Sequence, residues 1–240
     1  MRASVTICRL HGIPMEIHAS WAPVFFFVTW TLAERFFPLV YPPSSGIVDW
    51  ALGVLSGLLL FASLVAHELG HAIAARWRGL TVYRISLFLF GGMVDIGVDE
   101  GNASDEFWLA AAGPAVSLLI ALLWAALWVV APGLDSQGRA MVLYLGVSNA
   151  ILATFNLLPS YPLDGGRILR SALWSIGGDV SRATRFAQLS GQAMGGVILI
   201  AGVVWLVRGN VVDGGWLAAL GLFLVLAARH AIPRSLLLPS

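Results

Sequence analysis

The uncharged run "FWLAAAGPAVSLLIALLWAALWVVA", residues 107–131, limits what this chain can fold into more than any other stretch. A helix needs about 20 apolar residues to cross the hydrocarbon of a bilayer, and this run is long enough. Five further stretches approach that length: 19–38, blemished by Glu34 and Arg35; 50–75; 140–158; 186–207; and 212–228, which contains Asp213. Only 11% of the residues are charged, against about 25% in a soluble domain. Polar surface is therefore too scarce to cover the chain in water. The sequence predicts an all-α polytopic membrane protein with about six transmembrane helices.

The basic residues test that count. All 14 are arginine. With the N-terminus in the cytoplasm, the inside segments hold Arg2 and Arg9; Arg76, Arg78 and Arg84; Arg167, Arg170, Arg182 and Arg185; and Arg229 and Arg234. Only Arg35, Arg139 and Arg208 fall outside. Short loops follow the positive-inside rule, so six spans with both termini cytoplasmic are expected. Glu16 and His18 interrupt what would be the apolar region of a secretory signal, and no small-x-small cleavage site follows. The first span is therefore expected to stay in the mature protein. Cys8 is the only cysteine, which excludes an internal disulfide. No basic stripe with interleaved aromatics suggests a nucleic-acid partner.

Two segments break the helical pattern. "SVTICRLHGIPMEIHAS" within the N-terminal arm (1–18 and just beyond) and "LTVYRISLFLFGGMVDIGVD" around 81–98 are rich in β-branched and aromatic residues. They are expected to form short strands that pair as a small sheet at the membrane edge, with Gly91 and Gly92 in a tight turn or bulge.

Chemistry enters at the end of the second span, in "LVAHELGHAIAARWRG" (64–79). Residues four apart share a helix face, so His67 and His71 can aim two imidazoles at one ion with Glu68 beside them. This H-E-x-x-H spacing supplies two zinc ligands and a general base. Arg76 follows His71 by five residues, which at about 1.5 Å per residue puts the site only ~8 Å inside the charged helix end. A catalytic zinc takes three protein ligands and keeps one position open. His11, His18 and His230 are poorly placed for the third. Asp164 in "NLLPSYPLDGGRILR" (156–170) is better: Pro159 and Pro162 stop the fourth span, and Gly165 and Gly166 let the backbone turn sharply and approach closely. The same residue also reads as an N-cap carboxylate in an Asp-Gly turn. The pattern "GQAMG" (191–195) reads as helix packing.

Taken together, the chain resembles the site-2 protease family, intramembrane zinc metalloproteases. The matching residues are "GIPMEIHASW" (12–21), "HELGH" (67–71), "FGGM" (90–93), "AAGPAVS" (111–117) and "FNLLPSYPLDGGRILR" (155–170). The resemblance implies one Zn2+ per chain held by His67, His71 and Asp164, with Glu68 as base and proton shuttle. It implies that Asn156 supports the substrate strand or its carbonyl, where the bare sequence reads equally well as a helix-to-helix hydrogen bond. Asn149, seven residues earlier, reads as packing. Gly91 and Gly92 match a family hairpin near the active site that pairs with substrate; the plain alternative is an interfacial hairpin.

On this resemblance the whole of 1–240 is expected to be one membrane-embedded metalloprotease domain without PDZ or regulatory domains. Its expected setting is a prokaryotic cell membrane, with the active site opening to the cytoplasm. The expected function is an intramembrane zinc endopeptidase that cleaves in or near a transmembrane segment of a membrane-protein substrate, such as an anti-sigma factor or a signal-peptide remnant. The alternative is a proteolytically silent zinc-binding membrane protein or a metal transporter. The sequence does not indicate an oligomeric state.

Overall fold

A computed structural model describes residues 4–10, 12–40, 45–88, 91–97 and 102–230. Arg2, His11, Phe90 and Arg234 lie outside these residues, as does the side chain of His230.

Among the described residues, six helices are long and apolar enough to cross a membrane. The first, Trp21–Val40, runs as α1 (Trp21–Thr31), a π-helical turn (Leu32–Phe36) and α2 (Phe37–Val40). The π turn carries the two charges that blemish this span. Glu34 accepts a hydrogen bond from the Trp50 indole at 2.9 Å, and the Arg35 guanidinium lies over the Trp30 ring. Next come α3 (Gly46–Trp77), α4 (Ala103–Val130), α5 (Ser136–Asn156), α6 (Asp164–Gly177), α7 (Val180–Val207) and α8 (Val211–His230). At about 1.5 Å per residue α3 is ~48 Å long, well beyond a ~30 Å hydrocarbon core. HELGH occupies its last third.

The two β-rich segments form one sheet, as expected. β1 (Ser4–Leu10) and β2 (Ile13–His18) make an antiparallel hairpin turning at Gly12, whose φ of 83° suits glycine. β2 then pairs in parallel with β3 (Val82–Phe88), and β3 pairs antiparallel with β4 (Gly91–Ile96), giving the order β1-β2-β3-β4. Ile13, Met15, Ile85 and Leu87 are buried, the apolar positions of a half-covered sheet, and α3 packs along β3 and β4. Gly91 and Gly92 are not the predicted turn. They open β4 and pair with Phe88 and Leu87.

The chain divides into two compact units, one comprising 1–100 and 112–154, the other 101–111 and 155–240. In the first, α3 approaches its neighbours through small residues. Gly53 meets the Thr29 carbonyl, Gly57 the Thr29 hydroxyl and Phe25, and Gly70 the Ala112 carbonyl and Val116 of α4. In the second, α7 and α8 are bound as tightly. Gly195 lies against Val225 and Gly221, and Gly202 lies on Ala218. The "GQAMG" pattern thus serves helix packing, as its spacing suggested.

The sequence reading missed α6. The break after the fourth span is real, but it occupies 157–163, and Asp164, Gly165 and Gly166 are already helical. The two glycines are required for approach and not for turning. A Cβ on Gly165 would overlap the carbonyls of Leu157 and Leu158, and one on Gly166 would overlap the Tyr161 nitrogen. The start of α6 is folded back onto its own entry loop. Gly178, with φ 67°, ends the helix, and Asp179 caps α7 by accepting from the Ser181 and Arg182 amides. That cap starts the fifth span at Val180, six residues before its apolar run.

Candidate metal centre

The helical spacing of HELGH puts His67 and His71 one turn apart, and the two are 2% and 5% exposed. Their Nε2 atoms are 3.2 Å apart, with the ring planes at 78°. Two nitrogens bound to one tetrahedral zinc at about 2.05 Å would be ~3.3 Å apart. The pair therefore has the separation a shared ion requires.

Two features of α4 enforce that geometry. The Ser117 hydroxyl, fully buried, is 2.8 Å from His67 Nδ1. A histidine that ligates through Nε2 carries its proton on Nδ1, so this contact fixes tautomer and ring orientation together. One turn earlier, the backbone of Gly113 forms the floor under both rings. A Cβ built there would lie 2.7 Å from His67 Nε2 and would overlap the His71 ring. Sequence reading quoted "AAGPAVS" but gave neither residue a role. We expect Ser117→Ala to weaken zinc binding roughly tenfold, the lower end of the usual effect of losing an orienting partner. Competition with a chelating dye measures this, and an unchanged Kd would remove Ser117 from the site.

Glu68, 5% exposed, is wedged against the start of β4. A Cβ on Gly92 would be 2.5 Å from Glu68 Oε1 and would overlap its Cγ and Cδ. Only glycine lets the strand come so close to this carboxylate. Gly91 is one pair further along the hairpin, opposite Phe88.

Asp164 is the first residue of α6 and is 8% exposed. Its carboxylate sits where a helix N-terminus favours negative charge. His67, His71 and Asp164, the three ligands expected from the sequence, are all buried. Two histidine nitrogens and a carboxylate oxygen are a donor set suited to zinc.

Asn156 is the last residue of α5 and is half-buried. Asn149 is fully buried and donates from Nδ2 to the Leu145 carbonyl at 2.8 Å and to Ser63 Oγ at 3.2 Å. It ties α5 to α3 one turn before His67, the packing role its position suggested.

The profile of peptidase family M50 matches residues 56–136 and 131–202. The chain is 36% identical over 234 residues to Rip3 of Mycobacterium tuberculosis, covering 96% of this chain and 59% of Rip3. It is 31% identical over 206 residues to a zinc metalloprotease of Methanocaldococcus jannaschii, covering 85% of this chain and 55% of that one. The chain thus spans a little over half the length of these curated relatives. The solved structure of the site-2 protease from Methanocaldococcus jannaschii matches with a TM-score of 0.67 at 27% identity, over 94% of each chain.

Proposed function

The chain belongs to peptidase family M50, and on that premise we propose that it is a zinc endopeptidase acting within the bilayer. Its substrate class is the transmembrane segment of another membrane protein, cut in or near the membrane. The carrying observation is the buried pair His67 and His71, with Nε2 atoms 3.2 Å apart, and Glu68 on the same turn of α3.

In this reading His67, His71 and Asp164 hold one zinc and leave a fourth position open. Bound there, zinc supplies Lewis-acid chemistry, activating water near neutral pH and polarising the scissile carbonyl. Glu68 takes the proton from the attacking water and returns it to the departing amide nitrogen. Gly92 keeps the strand close without displacing that carboxylate. Because β4 is an edge strand of the sheet, an unwound stretch of substrate can add to it by main-chain hydrogen bonds. The Asn156 amide serves the substrate strand from the end of α5. Release of a membrane-held regulator or removal of a signal-peptide remnant are the biological uses that suit such chemistry. The arginine distribution favours cytoplasmic termini and a cytoplasmic opening. A buried carboxylate beside the ligands favours the enzyme over a metal transporter, which needs ionisable groups along a path.

The test is the protein purified in detergent with a membrane-protein substrate. We expect about one zinc per chain, cleavage abolished by a chelator and restored by zinc, and a loss of bound metal in Asp164→Ala. Cleavage indifferent to chelation would refute the mechanism, and unchanged metal in Asp164→Ala would remove it from the ligand set.

A further inference from the structure

Six residues into α6 from Asp164, a second cluster joins this helix to the start of α4. Glu106, in the first turn of α4, is 7% exposed. Arg170 Nε donates to both of its oxygens, at 2.7 and 2.9 Å, and Arg170 Nη2 also meets Oε1. Arg167 Nε lies 3.9 Å from the same oxygen. One residue on, Ser171 Oγ donates to the Ala103 carbonyl at 2.6 Å. The Tyr161 ring, from the entry loop of α6, lies 5.9 Å from the Arg170 guanidinium.

Stability alone does not account for this arrangement. A glutamate in the first turn of a helix is already favoured by the helix dipole while exposed to water, and burying an ion pair seldom yields net stabilisation. A guanidinium fork on a carboxylate does fix geometry, because it sets separation and rotation at once. The joined helices are the informative part. Arg170 is ~9 Å along α6 from Asp164. Gly113 follows Glu106 by seven residues, two turns on and on the same face of α4, and Ser117 is one turn further.

We infer that the Glu106–Arg170 pair is a positioning clamp for the metal centre. It sets the axial and rotational register of α6, and so of the Asp164 carboxylate, on the first turn of α4. The inference rests on the metal-binding reading above. Glu106 and Arg170 touch neither metal nor substrate; they act through Asp164. A single carboxylate ligand on the first turn of a helix swings by the full displacement of that turn, and metal sites tolerate only about 0.2 Å.

The experiment measures zinc Kd by dye competition, and the visible spectrum of the cobalt-substituted form, on the whole detergent-purified chain. Glu106→Gln is expected to weaken zinc at least tenfold and to alter the cobalt spectrum. Arg170→Lys keeps the charge and the fold but loses the fork, and should do the same. The double variant should lose no more than the worse single one, since both remove one interaction. Arg182→Ala, at an exposed pair with Asp179, should change neither quantity. Wild-type affinity and spectrum in both Glu106→Gln and Arg170→Lys would overturn the clamp, as would an equal loss in Arg182→Ala. Absence of zinc from the unaltered protein would instead overturn the metal reading beneath it.

Discussion

Glu68→Gln is expected to keep its zinc and to lose cleavage by about 10³-fold, within the 10²–10⁴ range for a positioned general base. The substitution replaces one oxygen by an amide nitrogen of nearly the same size. The side chain therefore still fits beneath Gly92, where nothing larger than a hydrogen is tolerated. His67, His71 and Asp164 are untouched, so the metal content should match the unaltered protein. An amide cannot accept the proton of the attacking water, and about 4 kcal/mol of barrier returns. Elemental analysis and a cleavage assay on one preparation separate the two effects. Undiminished cleavage would exclude Glu68 as the base, and lost zinc would show that Glu68 supports the ligands instead.

Gly113→Ala should do the opposite, leaving the chain folded and the metal site unable to close. The added methyl would stand where the His71 ring now lies and 2.7 Å from His67 Nε2. Either α4 retreats or both rings rotate. Retreat gives up the close packing of α4 on Gly70, where a Cβ would meet the Ala112 carbonyl and Val116. Rotation breaks the Ser117 contact that orients His67. Overpacking of this kind costs about 1–3 kcal/mol of stability, a tolerable loss, whereas zinc affinity is expected to fall at least 100-fold. Gly177→Ala is the matched control, because a Cβ there meets no atom within 4 Å. A full zinc complement in Gly113→Ala would refute the account of the floor.

The sequence displayed some parts of this protein far better than others. Hydropathy located the six helices that, among the described residues, are long and apolar enough to cross a membrane, and H-E-x-x-H spacing paired the histidines, because both signals lie within one helix. The helix ends did not show. Ala103–Glu106 and Val180–Arg185 are polar, and their helical state rests on caps such as Asp179 that hydropathy does not record. Helix α6 was hidden by its two leading glycines, which oppose helix formation by about 1 kcal/mol each and are kept for close approach. Gly113 and Ser117 were illegible for a different reason. Their partner His67 lies about fifty residues away in the chain, and no spacing rule links a small residue on one helix to a ring on another. The same holds for Gly92 against Glu68.

The parallel pairing of β2 with β3 also counts the crossings between them. Strands that exchange backbone hydrogen bonds lie together at one face of the bilayer or in one protein-lined cavity opening to it, since a sheet edge exposed to lipid is not tolerated. Between His18 and Val82 the chain therefore passes through the membrane an even number of times. Trp21–Val40 and Gly46–Trp77 are long and apolar enough to be those two passages. Arg9 and Arg84 are thus tied to one compartment by main-chain geometry, whatever the hydropathy of the helices between them. A reporter on either side of this pair fixes the orientation of both spans.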